Sequence, residues 1–183
     1  MTMRLFAAIV PPEAALASLA AAVTTVPATA MRVVPAHQQH VTVAFYGSVP
    51  DAAVADLDER LRRAAARTSP LSLRLHALGT FPANAGRARV LWAGVDGDVA
   101  ELTRLAERAV AAGRRAGIAV EDHRYRPHLT IARARRDSVD VRDVVGAANV
   151  DGPPWTAREL VLIRSTLGAQ VRHEPIAMFP FSV

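Results

Sequence analysis

The sequence predicts an α+β protein with antiparallel or mixed sheets. Three observations carry that prediction: strand-length segments alternate polar with apolar side chains, helical periods separate several of them, and no glycine-rich phosphate loop follows the first strand. Alternation marks a sheet with one face on a core and the other open, which antiparallel sheets tolerate and buried parallel sheets do not. Without the glycine-rich turn, a doubly wound nucleotide-binding fold has no support. A chain of 183 residues buries roughly 70% of its unfolded surface, so a single domain over 1–183 without metal or disulfide staples is expected.

Residues 3–10 read as a buried strand that Pro11 and Pro12 stop. Ala14 to Val23 then reads as one helix, with proline near its first turn, where no N–H donor is needed. The apolar start is too short to cross a bilayer, so a cytoplasmic protein without a membrane segment is expected. Residues 32–35 form a short extended piece. Residues 39–46 alternate His40, Thr42 and Ala44 with Val41, Val43 and Phe45, and Gly47 to Pro50 should end that strand. Asp51 looks like the N-cap of a helix to about Arg67, with Val54, Leu57 and Leu61 on one face.

Residues 71–78 and 89–95 read as strands around the turn-rich segment 81–86. A helix follows from Asp98 to about Ala116, with Leu102, Leu105, Ala106, Ala109 and Val110 at helical spacing and Gly117 as its stop. Residues 128–133 repeat the pattern of 40–45, a short helix is expected near 141–147, and strands at 159–165 and 173–179 joined by a turn at Gly168 close the chain.

The 22 basic residues are all arginine, and the net charge is +5. That balance suits an anionic partner, because a guanidinium fork can hold two phosphate oxygens at once, but it also suits mere solubility. With no cysteine, disulfides, thiolate zinc sites and thiol nucleophiles are excluded.

The chemistry lies in the repeat. His40-Val41-Thr42-Val43-Ala44 and His128-Leu129-Thr130-Ile131-Ala132 match in His, Thr and Ala at equal offsets, 88 residues apart. On a strand, positions i and i+2 share a face, so each motif presents an imidazole beside a hydroxyl. Joined about a pseudo-twofold axis, the two motifs would surround a volume suited to a tetrahedral phosphate. Histidine, titrating near 6.5, can serve as acid or base there, and threonine hydroxyls can donate to charged phosphate oxygens. A lone His-x-Thr on a half-buried strand more often satisfies only itself. Paired and matched, the motifs point to chemistry that needs no metal or cofactor.

These features resemble the 2H phosphoesterase superfamily and, within it, the RNA 2′,3′-cyclic phosphodiesterases also called 2′-5′ RNA ligases. Residues 4–9, Val34-Pro35, 89–95, Tyr125-Arg126-Pro127, 160–165 and Phe179-Pro180 are similar in the same order. The resemblance implies two pseudo-symmetric lobes around a central cleft, with helices outside. It implies hydrolysis of an RNA 2′,3′-cyclic phosphate to a 2′-phosphate, with His40 as proton donor and His128 as acceptor. Thr42, Thr130 and Arg133 would bind the phosphate. Strict alternation sends Arg133 to the face opposite His128, so its contribution requires a bulge or the strand's end. Where many relatives carry Asn-Leu, this chain has Gln38-Gln39, which leaves the turn before His40 open.

Other residues carry weaker signals. His37, three places before His40 on an extended chain, would point to the opposite face, and no carboxylate cluster joins it as a metal site would need. Arg126 could pair with Glu121 or Asp122 or touch RNA. Phe45, Trp92 and Tyr125 could stack on bases, although Phe45 and Trp92 fall on apolar faces where core packing is expected. His76, His123 and His173 lack the motif threonine and read as surface or core residues. Expected partners are RNA ends carrying cyclic phosphate, or related small cyclic phosphates, acted on by a monomer. Ligation at the same site and a non-catalytic RNA-binding module are the competing functions, and losing either histidine separates catalysis from binding.

Overall fold

Two strands, Val41–Pro50 and His128–Ala134, decide the architecture because each lies at the inner edge of one half of a single sheet. The structure, a computed structural model, describes residues 1–121, 124–168 and 171–182. In chain order the strands are β1 (Thr2–Ile9), β2 (Met31–Val33), β3 (Val41–Pro50), β4 (Leu71–Phe81), β5 (Val90–Gly97), β6 (His128–Ala134), β7 (Trp155–Ala157), β8 (Glu159–Thr166) and β9 (Arg172–Pro180). The helices are α1 (Glu13–Ala17), α2 (Ala20–Thr25), α3 (Asp51–Ala65), α4 (Val99–Arg115) and α5 (Arg142–Ala147).

The sheet order is β7-β4-β5-β6-β3-β1-β8-β9, with β2 added on β6. Every pairing among these strands is antiparallel, so the mixed alternative is not what the chain adopts. Four strands lie on each side of the β3–β6 junction, and each half runs strand, helix, strand, helix through β1-α1/α2-β3-α3 and β5-α4-β6-α5. At the junction only the pair Val41↔Leu129 is made, after which β6 pairs with β2 instead and the two halves part.

One face of the sheet carries the core. Leu5, Ala7, Ile9, Val41, Val43, Leu129, Ile131, Leu160 and Leu162 pack there with Leu57 and Leu61 of α3 and Leu102, Leu105 and Ala109 of α4. The Tyr46 hydroxyl donates to the Ala109 carbonyl at 3.0 Å and ties α4 to β3. Gly113 makes that approach possible, since a Cβ there would lie 2.7 Å from the Tyr46 ring. Gly117, at φ +76, ends the helical segment as its sequence position suggests.

Several expected boundaries move. The single helix over 14–23 is broken into α1 and α2 at Ser18, whose hydroxyl turns back onto the Ala15 carbonyl at 2.6 Å. β3 continues to Pro50 because β1 starts early enough to pair Thr2 with it. Pro50, not Asp51, takes the N-cap position of α3, and Asp51 sits in the first turn, where its charge complements the helix dipole.

Candidate active site

The face of the sheet away from the core holds both motifs. Extending the Val41↔Leu129 register sets Thr42 opposite His128 and Thr130 opposite His40. The two histidines are then diagonal neighbours, a relation that corresponds to roughly 7–8 Å between strands. Two imidazoles and two hydroxyls thus alternate around one small area at the seam.

Both imidazoles are held in the same way. His40 Nδ1 lies 2.7 Å from the Gln38 carbonyl, and His128 Nδ1 lies 2.8 Å from the Arg126 carbonyl, in each case two residues back along the chain. A carbonyl can only accept, so each Nδ1 carries the proton and leaves Nε2 as the bare nitrogen. Gln38 closes a single 3₁₀ turn, Ala36–Gln38, and its amide Nε2 donates to the Val171 carbonyl at 2.9 Å. Buried Gln39 donates to the Val34 carbonyl at 3.0 Å. The Gln-Gln pair therefore builds the seat of His40. His37 lies on this turn, 3.4 Å from the Gln38 amide nitrogen, so the strand argument about its direction does not apply.

The hydroxyls are unspent. Thr24, Thr25, Thr68, Thr80 and Thr103 all donate to backbone carbonyls. Thr42 and Thr130, both half-buried, have no side-chain hydrogen bond among the described residues. They are left able to donate to a ligand.

A bulge in each motif strand decides what else joins the site. In β3 the register passes from Ala8↔Thr42 to Ala7↔Ala44, leaving Val43 as an extra residue; in β6 it passes from Trp92↔Thr130 to Leu91↔Ala132, leaving Ile131 extra. Val43 and Ala44 are both buried, as are Ile131 and Ala132, so the alternation resets after each pair. The fifth residue after each histidine, Phe45 and Arg133, consequently turns to the histidine face, where both are exposed. This supplies the bulge that Arg133 requires. It also corrects the expectation that Phe45 packs in the core: the ring is 43% exposed, with the Arg4 guanidinium 4.6 Å above its centre.

Three further expectations change. Trp92, expected in the core, lies on the histidine face with its ring 6.1 Å from that of His128, in a space that Gly79 leaves open. Tyr125 does not present its edge for stacking; its hydroxyl donates to the Thr42 carbonyl at 3.0 Å and bolts the segment before β6 to β3. His173, read as a surface or core histidine, stands 5.2 Å from the His40 ring, with Phe6 stacked on His40 at 4.6 Å. The pairing Ser165↔His173 on the β8–β9 hairpin brings it there, a juxtaposition no local motif announces. Arg126 reaches over the Phe81 ring at 5.9 Å, and Phe81 meets His128 edge-on at 4.9 Å. Asp122 and His123 lie outside the described residues. His76 stands apart from the site, 3.6 Å from Asp151.

The site is electropositive, and its histidines favour the neutral form. Burial pushes His40 down from 6.5 to about 4, against the opposing pull of the Gln38 carbonyl, and His173, Arg133 and His128 lower it further. Burial likewise lowers His128, opposed by the Arg126 carbonyl and assisted by the Arg133 and Arg126 charges. His173 is lowered by burial first, with Arg133 and His37 adding to the effect. An anion bound between these groups reverses the balance, because a negative charge favours the imidazolium. Among the described residues there is no cluster of three or more His, Asp or Glu side chains placed to hold a metal ion.

Paired His-x-Thr strands about a split antiparallel sheet define a two-histidine phosphoesterase fold. The chain belongs to the 2′-5′ RNA ligase superfamily, whose family model matches residues 10–169. It is 34% identical over 177 residues to an RNA 2′,3′-cyclic phosphodiesterase of Thermus thermophilus, covering 90% of this chain and 83% of that protein. A Geobacillus stearothermophilus protein of the same name is 33% identical over 146 residues, 77% of this chain but only 45% of that protein. The chain thus spans less than half of that relative, and 58% of an Aeropyrum pernix one. Among solved structures, TT0787 of Thermus thermophilus superposes with a TM-score of 0.80 at 28% identity over 98% of both chains. Apo LigT of E. coli shares the fold, with a TM-score of 0.79 at 24% identity over 100% of this chain and 99% of that one. No helix among the described residues is long and apolar enough to cross a membrane.

Proposed function

We propose that residues 1–183 act as one unit that hydrolyses the terminal 2′,3′-cyclic phosphodiester of RNA to a 2′-phosphomonoester. The observation that carries this reading is the duplicated seat of the histidines. Each Nδ1 is committed to a carbonyl two residues back, so two bare Nε2 atoms stand diagonally across a rung with two unspent hydroxyls between them. Hydrolysis of a cyclic diester needs one group to take a proton and another to give one on opposite sides of one phosphorus, with donors for its oxygens.

Water attacks the phosphorus as His128 Nε2 takes its proton. The bond from phosphorus to O3′ breaks, and His40, protonated at Nε2, delivers a proton to that oxygen. Thr42 and Thr130 donate to the non-bridging oxygens, where charge grows, and Arg133 supplies a fixed positive charge beside them. The donor and acceptor assignments follow the likeness to the family. His40 can carry its proton in spite of its burial because the substrate's phosphate restores the imidazolium. The relatives named as RNA 2′,3′-cyclic phosphodiesterases support this substrate class.

The test is to offer the purified protein a short RNA ending in 2′,3′-cyclic phosphate and to identify the monoester. Formation of 2′-phosphate is expected. A 3′-phosphate product, or no turnover, overturns the reading.

A further inference from the structure

β2 and β6 place two arginines directly opposite each other. The register is Met31↔Ala134, Arg32↔Arg133 and Val33↔Ala132. Met31 and Ala132 point into the core, so Arg32 and Arg133 share the opposite face, the one that bears the histidines. Directly opposed like charges destabilise a strand pair, with side chains leaving the backbone roughly 4.5–5.5 Å apart. A carboxylate between or beside them would relieve this, yet neither arginine makes an ion pair with any described residue. What distinguishes the pair is that its two members lie directly opposite each other across strands, with Arg133 beside the histidines.

Position gives the pair a direction. Arg133 is near enough to both catalytic histidines to depress their protonation, and Arg32 in turn acts on Arg133. The order is histidines, Arg133, Arg32. Beyond them, Arg135 and Arg136 border a cavity of about 290 Å³ whose rim also includes Thr29, Ser138 and one carboxylate, Asp137. A single strand whose last phosphate sits at the histidines would extend over this track. Phosphates are the anions that occur at regular short intervals along such a ligand, and adjacent guanidinium forks can hold one bidentately.

We propose that Arg32, with Arg133, binds the backbone phosphate immediately 5′ of the terminal nucleotide, so that the enzyme prefers an oligonucleotide end over a cyclic mononucleotide. This rests on the cyclic phosphodiesterase reading and adds a second phosphate subsite to it. Arg133 serves both subsites, and Arg32 serves the second. The like charges that cost stability in the empty protein become a clamp once an anion lies between them.

The experiment compares adenosine 2′,3′-cyclic phosphate with a diadenylate carrying the same cyclic end, for wild type, Arg32→Ala and Arg32→Gln. Glutamine retains most of the side chain's reach while removing the charge. Wild type is expected to favour the dinucleotide, and both variants to lose that preference by on the order of 10-fold, through KM. The slope of log KM against log salt for the dinucleotide should fall by about 0.7, the amount due to one single-strand phosphate contact. A ratio of the two substrates unchanged by the substitutions, whether both activities fall together or neither does, overturns the subsite. Turnover of neither substrate by wild type instead overturns the cyclic phosphodiesterase reading, and the subsite with it.

Discussion

The His40 half and the His128 half of the site share a frame and differ in what lines it. In both, a histidine fixed through Nδ1 stands at the start of the strand or just before it, and the strand passes a free threonine, bulges over an apolar pair and presents the fifth residue after the histidine to the same face. Around His40 the neighbours are Phe6, His173 and exposed Phe45; around His128 they are Phe81, Trp92 and Arg133. Equal frames supply two nitrogens with equivalent geometry. Unequal linings make the two nitrogens inequivalent: His40 is flanked by Phe6 and a third imidazole, His128 by Phe81 and Trp92, and the Arg133 charge acts on both.

The shared frame is where substitution should do most harm. Replacing either His40 or His128 by alanine is expected to lower turnover of a cyclic-phosphate RNA by about 10²- to 10⁴-fold, while RNA binding measured by anisotropy persists. Loss of binding with turnover would assign the histidines to recognition alone. Thr42→Val and Thr130→Val keep the strand-forming shape and remove the hydroxyl, and each should reduce kcat on the order of 10²-fold. An effect confined to one of them would show that only one half donates to the phosphate.

The linings should separate by chemistry. Arg133→Ala is expected to reduce kcat/KM by about 10-fold or more and to flatten its salt dependence. At the equivalent position Phe45→Ala should raise KM by about 5-fold, within the range of one lost base stack, and leave the salt slope unchanged. If both variants change the salt slope alike, the halves are not divided in this way.

Protonation gives a further comparison between the free and occupied site. Both histidines are held below 6.5 when the site is empty, so the form with one proton on the pair disappears as pH rises through that region. kcat/KM, which reports the free enzyme, should therefore already be falling with rising pH below pH 6.5. The alkaline limb of kcat should lie at higher pH, because the bound phosphate raises the imidazolium's pKa. Coincident limbs in the two profiles would show that the phosphate does not act on the histidines. The smallest effect is on stability. Gly79→Ala would place a Cβ 2.2 Å from the Trp92 ring and should cost about 1–3 kcal/mol, read as a lower Tm.

The frame is legible in the sequence because period-two alternation and a repeated His-x-Thr are local signals. The linings are not. Val43-Ala44 and Ile131-Ala132 are apolar neighbours that read as ordinary alternation, yet each pair absorbs a bulge and reverses the face of the residue that follows. Phe45 therefore reads as a core residue, and Arg133 depends on a bulge that only register reveals. Trp92 misleads differently: β5 alternates regularly, with Leu91 and Ala93 buried on the core face and Trp92 on the other, where an apolar ring gives no sign of facing the histidines. His173 arrives through sheet order, because β8 pairs with β1 and carries β9 beside the first motif. An alanine-rich segment conceals the break at Ser18, where a single hydroxyl competes with the helix.

The central claim is that His40 and His128 act as one unit on one phosphate, and a double-mutant cycle tests it most directly. Single-turnover rates on a cyclic-phosphate RNA would be measured for His40→Ala, His128→Ala and the double variant. The double variant is predicted to be scarcely slower than the slower single variant, because losing either partner already disables the transfer. Losses that multiply, with the double variant slower by the product of the two single effects, would contradict it.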